Sequence, residues 1–364
     1  MKLVMKNESG MALLVVLAVI SVLLAAALQL ARTAGESAVT TGEAANRFLG
    51  REQAMAGIHL AMALLAEDGS ASDIDSVQED WARPEELARA IEAMGYDKQQ
   101  MGLEITDELG KLQVNALIKQ YPGREVNADQ VKIWERFFET LNPGQDPVEI
   151  INCLIDWLDH RDDEAVTGLT GAESDHYLSL DIPYSCANGP FTHISEIFLV
   201  KGITEELFMP DPEEDDEEAE PVVPAEVITV HGLPADAAPQ GKYGYTGKVN
   251  INTAPEEVIR ALLPLSAQDQ AAELVAFREE GADDDGVFTN TLDKGWVSQV
   301  IELSDKEKQA FERSIRYESD LFRVKSWRST GNSARTGVSA LIHREKNETS
   351  GKWSCRILQL TKEY

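Results

Sequence analysis

Basic residues are scarce in this chain. Lys and Arg total 33 against 63 Asp and Glu, a formal net charge of −30. The field around such a molecule repels phosphate backbones and anionic lipid surfaces, which excludes nucleic acid as a main partner. Several chemistries lack their local signatures: there is no Gly-rich phosphate loop of the Walker type, no His-Glu-x-x-His and no Gly-x-Ser-x-Gly. The six histidines, His59, His160, His176, His193, His231 and His343, are scattered, so no catalytic triad follows from their spacing. His160 and His176 border an acidic stretch and read as polar surface residues, with metal ligation as the alternative. No Lys or Arg occurs between residues 202 and 241, and residues 211–220 alone hold eight carboxylates, the mark of a solvated loop. What is present suffices to fold: 364 residues, 43% hydrophobic and 26% charged, predict two or three units with their own cores.

Residues 11–31 (MALLVVLAVISVLLAAALQLA) carry no charge, and as a helix they match the ~30 Å hydrocarbon core of a bilayer. A secretory signal peptide is the rival reading, but its apolar region is usually shorter. Lys2 and Lys6 in the leader MKLVMKNESG hold the N-terminus in the cytoplasm, so the bulk past Arg32 is extracytoplasmic. A short basic leader ending in Gly10 at the membrane face resembles the type III signal of the type IV pilin and pseudopilin superfamily. The resemblance implies cleavage after Gly10 by a prepilin peptidase and methylation of the new N-terminus, Met11. The superfamily's usual pattern has Glu at the fifth mature position, where this chain has Val15. The minor pseudopilin K family typically lacks that Glu.

Helical spacing continues through Phe48, Met55, Ile58, Met62 and Leu65, so the span begins one long helix over 11–66. Gly35, Gly42, Gly50 and Gly57 fall within one arc of it. Each costs about 1 kcal/mol against Ala, which suggests either close approach of other helices, as in a filament core, or local melting. Residues 102–117 alternate like a two-stranded hairpin, 130–207 have helical periodicity, and 209–245 are acidic and contain six prolines. A strand at 248–252, helices at 255–263, 267–280 and 304–316, and strands at 321–330, 336–345 and 352–361 complete the pattern, an α+β fold.

This order, with ITDELGKLQVNAL (105–117), LIDWLDHRDDE (154–164), GAESDHYL (171–178), PYSCANGPFTHISEIFLVKGIT (183–204) and VNINTAPEEVIRALLP (249–264), resembles the minor pseudopilin K family of type II secretion systems. The resemblance implies a pseudopilin fold with a long N-terminal transmembrane helix, an antiparallel sheet and a large inserted helical domain. It divides the chain into a cleaved leader (1–10), the helix (11–66), the first part of the α/β domain (67–117), the insert (118–207), an acidic Pro-rich linker (208–245) and the remainder of the α/β domain (246–364). It also implies a non-enzymatic subunit at the pseudopilus tip, anchored once in the inner membrane with its bulk in the periplasm. Its partners would be minor pseudopilins I and J, other pseudopilins and the prepilin peptidase. A minor type IV pilin in adhesion or pilus priming is the alternative within the superfamily; a membrane-anchored periplasmic calcium-dependent hydrolase is the alternative from another class.

The main chemical constellation is acidic. Asp156, Asp159, Asp162, Asp163 and Glu164 follow a helical stretch, with Glu173 and Asp175 about ten residues on. Clustered carboxylates on a loop suit a hard cation, and the resemblance implies Ca2+ here, with Asp159, Asp162 and Glu173 as ligands and Asp156, Asp163 and Asp175 in reserve. The spacing is not an EF-hand, and a solvated loop or a carboxylate pair remain as alternatives. A second acidic run, 283–286, reads as an exposed loop. Val200-Lys201-Gly202-Ile203 imitates a helix-hairpin-helix turn, but the charge balance favours packing over phosphate contact. Of three cysteines, Cys153 and Cys186 flank the acidic segment in an oxidising location and are expected to pair, with Cys186–Cys355 as the other connectivity. In the superfamily a buried Glu at the fifth position is thought to neutralise the N-terminal amine of the next subunit. An unpaired carboxylate in hydrocarbon costs several kcal/mol, so Val15 suits a subunit with none ahead of it, drift at an apolar position being the alternative.

Overall fold

A computed structural model describes residues 9–141, 146–160, 166–209, 221–232, 241–282, 288–329 and 335–363. The helices are α1 (Ser9–Ala71), α2 (Pro84–Ala93), α3 (Ala128–Leu141), α4 (Pro147–Leu158), α5 (Ser174–Leu178), α6 (Pro224–Val227), α7 (Glu256–Leu262), α8 (Ala271–Glu279), α9 (Val297–Val300) and α10 (Asp305–Ser314). The strands are β1 (Met101–Asp107), β2 (Leu112–Gln113), β3 (Ile228–Thr229), β4 (Val249–Asn250), β5 (Ile315–Arg316), β6 (Leu321–Ser329), β7 (Arg335–Lys346) and β8 (Trp353–Glu363).

α1 is a single helix of 63 residues, about 95 Å long at 1.5 Å per residue. Its residues 11–31 are apolar nearly all round and exposed; its second half is buried along one stripe, Ala54, Ile58, Ala61 and Leu65, each 0% exposed. That stripe packs on an antiparallel sheet of order β1-β6-β7-β8. Alternation along the strands sends Leu103, Ile105, Phe322, Val324, Val338, Ala340 and Ile342 into this first core, and α2 closes it with Leu87 and Ile91. The turn from β7 to β8 is held by Asn347, whose Oδ1 accepts the amides of Thr349 and Ser350, while Gly351 takes φ +67.

The second core draws on residues 112–315: Trp134, Phe137 and Phe138 of α3, Leu154, Trp157 and Leu158 of α4, Val258 and Ile259 of α7, Leu274 of α8 and Trp296. Two short parallel pairs, β2 with β3 and β4 with β5, tie its ends together. The sequence reading differs here in three ways. Residues 102–117 are no hairpin: β1 pairs with β6, Ile105 opposite Val324, and the chain then turns through a 3-10 segment, Glu108–Gly110, into β2. Asp107 causes the turn, since its Oδ1 accepts the Leu109 amide and the rest of its carboxylate is held by side chains from elsewhere. The expected linker contributes core, because Val227 (3% exposed), Ile228 (1%) and Val230 (6%) form an apolar run. Residues 249–315 pack with the expected insert rather than with the sheet, so the burial pattern runs past the boundaries drawn at 207 and 246.

Candidate functional site

The glycines of α1 divide by position. Gly35 and Gly42 have open space where a Cβ would stand, whereas a Cβ on Gly50 would meet Thr336 Cβ at 3.2 Å, and one on Gly57 would meet Ser326 Oγ at 2.2 Å and Met101 Cε at 2.9 Å. The lower pair therefore admits the molecule's own sheet and not a neighbouring helix, a correction to the common role expected for all four. Local melting is also set aside, since α1 is continuous through every one of them. Val15 lies in the exposed apolar half, 59% accessible, and Gly10 and Met11 lie in its first turns.

α4 sets up the acidic loop. Asp146 caps its start by accepting the Val148 amide, Pro147 occupies the first turn, and Leu154, Trp157 and Leu158 fix its inner face. Asp156, 1% exposed, accepts the Thr167 amide with both carboxylate oxygens at 2.9 and 3.1 Å and so closes the loop back onto the helix. Gly171 is required beside it, because a Cβ there would come 2.0 Å from Asp156 Oδ2. Asp159 is half-buried at the end of α4, Glu173 is 5% exposed, and Asp175 is exposed on α5. Asp162 and Asp163 lie outside the described residues, as do Glu164 and residues 283–287. His160 is exposed and His176 stands edge-on to Tyr177.

Cys153 and Cys186 are free thiols in the same buried core, and both lie close to the Tyr177 hydroxyl. Cys153 Sγ donates to Thr170 O at 3.4 Å and Cys186 Sγ to Asp156 O at 3.5 Å. Burial pushes Cys153 up to about 11 and Cys186 up to about 12, so neither holds a reactive thiolate. Cys355 belongs to β8 and packs against the first core, away from both.

Sequence reasoning missed the asparagines. Asn115 is 1% exposed; its Nδ2 donates to Phe191 O (3.0 Å) and Val230 O (2.7 Å), and its Oδ1 accepts the Phe191 amide. Asn252 accepts Trp296 Nε1 at 2.8 Å and donates to Leu292 O. Asn115 follows Val114 and Asn252 follows Ile251, and a polar residue directly after a buried β-branched one was the available signal. Gly202 has φ +89 between two 3-10 segments, Ile194–Leu199 and Glu205–Phe208, a packed corner.

A long helix laid on a four-stranded antiparallel sheet, with a second, mainly helical core inserted between β1 and β6, is a pseudopilin-type fold with an enlarged head. Two family models, both described as Type II secretion system (T2SS), protein K, match residues 110–209 and 249–302. The two matches lie on the second core and its flanks and leave α1 and the strands β6, β7 and β8 outside them. It is 31% identical over 155 residues to the type II secretion system protein K of Pseudomonas aeruginosa (strain PAO1), a match that covers 41% of this chain and 44% of that one. Its fold is shared with a chain in the crystal structure of the GspK-GspI-GspJ complex from the enterotoxigenic Escherichia coli type 2 secretion system. That likeness has a TM-score of 0.57 at 15% identity and covers 89% of this chain and 98% of the other.

Proposed function

We propose that this chain is the minor pseudopilin at the tip of a type II secretion pseudopilus, where it initiates or caps assembly for export of proteins across the outer membrane. The observation that carries this reading is the division of α1: an exposed apolar half sized for a bilayer, continuous with a half that is committed to the sheet. The second core supports a terminal position, since its bulk would obstruct a subunit stacked above it. The role is structural, with no catalysis of its own. Minor pseudopilins I and J are its partners, a choice supported by the shared fold with a GspK-GspI-GspJ complex. A prepilin peptidase removes residues 1–10 and methylates Met11, leaving α1 anchored in the inner membrane and the two cores in the periplasm.

The acidic loop fits calcium by donor chemistry: two buried carboxylates, Asp156 and Glu173, both face the Cys186 thiol, and Asp159 stands at the helix end. Asp159, Asp162 and Glu173 are the residues that would hold the ion, with Asp163 and Asp175 in reserve, while Asp156 closes the loop on Thr167. Bound there, calcium would neutralise the loop and fix it to α4. The deciding experiment is co-purification of the full chain with minor pseudopilins I and J from detergent-solubilised membranes. A ternary complex is expected. Recovery of the chain with neither of them, although all three are expressed, would overturn the tip assignment.

A further inference from the structure

The chain crosses between its two cores at residues 107–112 and again at 315–321, and both crossings meet the end of α1 in one buried polar knot. Asp75, 1% exposed, receives Arg344 Nη2 on both carboxylate oxygens at 2.7 Å and the Ser319 amide at 2.7 Å. Arg344 Nη1 donates to Asp68 Oδ2 at 2.8 Å, and its Nη2 also reaches Ser319 O at 2.7 Å. From the second core, Asn250 Nδ2 donates to Asp75 O at 2.9 Å and to Asp107 Oδ2 at 2.8 Å. Backbone bonds complete the seam: the Asp75 amide to Tyr317 O, the Val77 amide to Asn252 O and the Ile251 amide to Arg316 O. Glu79 accepts the Ser76 amide and Trp81 Nε1, and its carboxylate lies within 4.8 Å of oxygens of Asp68 and Asp75.

Charge is not balanced in this knot. Asp68 from α1 and Asp75 from the following loop share one guanidinium, Arg344 of β7, while Glu79 of the same loop and Asp107 from the end of β1 stand beside Asp75 and have no ion pair of their own among the described residues. Of the neighbouring cations, Arg316 is paired with Glu318 and Asp320, and Arg278 is held by Ile251 O, Ala254 O and Glu279. On β8 the facing titratable group is the Cys355 thiol. The buried carboxylate beside the same crossing behaves differently: despite its burial, Lys111 and Arg323 hold Glu108 down to about 2, two cations for one acid. In the knot, desolvation, reinforced by the neighbouring carboxylates, lifts Asp68 to about 6 and Asp75 to about 7 and raises Glu79 as well.

We propose that this knot is a proton-operated clasp: protons taken up by the Asp68, Asp75 and Glu79 trio lock the two cores together, and their release loosens the joint. The sign follows from linkage. These groups bind protons more tightly folded than unfolded, so their contribution is complete below the ordinary carboxylate range and is lost as pH rises through about 6 to 7. Glu108 does not titrate in that window and holds its crossing throughout. The clasp rests on the fold and stands whether or not the tip assignment does.

Amide hydrogen exchange of the full chain in detergent micelles, corrected for intrinsic rates, tests it between about pH 5.5 and pH 8. Protection at 75–77, 251 and 319 is expected to fall on the order of tenfold across that range, the change in an equilibrium that one pKa unit represents, while α3 and α4 stay level. Asp75→Asn should remove the part of the dependence near pH 7 and leave only the part near pH 6 that Asp68 carries. Should that variant not fold, Glu79→Gln, which leaves Arg344 its partners, should move the midpoint to lower pH. Flat protection at the seam, an equal loss in α3 and α4, or a Glu79→Gln midpoint identical to wild type would each overturn the clasp.

Discussion

The two lower glycines of α1 have a stated reason to be glycine. Gly57→Ala puts a methyl into Ser326 and Met101, an overpacking expected to destabilise the sheet core by about 1–3 kcal/mol. Gly35→Ala meets nothing and should leave the isolated chain as stable or slightly more so, by up to about 1 kcal/mol of helix propensity. Thermal unfolding of the two variants in detergent checks the contrast, and equal effects would mean that the helix does not seat on the sheet as described. Arg344 is the other residue with a large effect attached. Its side chain is 4% exposed between Asp68 and Asp75, so Arg344→Gln strands the buried Asp75 carboxylate and the partly buried Asp68 and should cost roughly 3–5 kcal/mol at pH 8. The loss should shrink near pH 5, where both carboxylates, with their raised pKa values, take up protons instead. Chemical denaturation at the two pH values reads the difference.

Among the elements, α4 and its loop carry the metal and redox expectations. A ligand that binds only the folded state raises stability by about 2.7 kcal/mol at a hundred times its dissociation constant. Calcium should therefore raise the melting temperature of the metal-stripped chain, and Asp159→Ala should remove that rise. An unchanged melting curve in millimolar calcium would leave the loop simply solvated. Cys153 and Cys186 stand 33 residues apart in sequence and in one core, and a link between them would add roughly 3–4 kcal/mol by chain entropy. Peptide mapping without reductant, on protein exported to the periplasm, is expected to find these two joined and Cys355 free. Cys186 joined to Cys355 would contradict the packing, since β8 belongs to the other core.

For the molecule as a whole, the proposed function makes a statement about both ends. Intact-mass measurement of the membrane-extracted protein should give Met11 as a methylated first residue. A start near Ala34 or Gly35 would indicate ordinary signal-peptidase cleavage and remove the pilin-like anchor. At the other end, if the enlarged head holds the chain at a terminus as proposed, its copy number in purified pseudopili should be far below that of the major subunit. The acidic surplus of −30 should keep phosphate polymers from associating with the head, which a binding assay with DNA at low salt checks.

Local patterns foretold the parts of this structure whose causes are local. An uncharged run of 21 residues states an apolar helix long enough to cross a bilayer; spacings of three and four state that α1 continues beyond it; alternation with turn residues states β6, β7 and β8, whose observed limits fall within about two residues of those read from the sequence. The acidic loop was visible as composition, and the pairing of Asp156 with Thr167 was not, because it depends on how the loop returns to α4. β1 looked like half of a hairpin because its neighbour in sequence alternated too, yet its partner is β6, more than two hundred residues on. The same distance hides the clasp: Asp75 and Arg344 are 269 positions apart, and nothing in the neighbourhood of either announces a buried charge. Periodicity reports which face of an element is apolar, but which faces meet is set by the arrangement that buries both cores and joins their backbones at the seam.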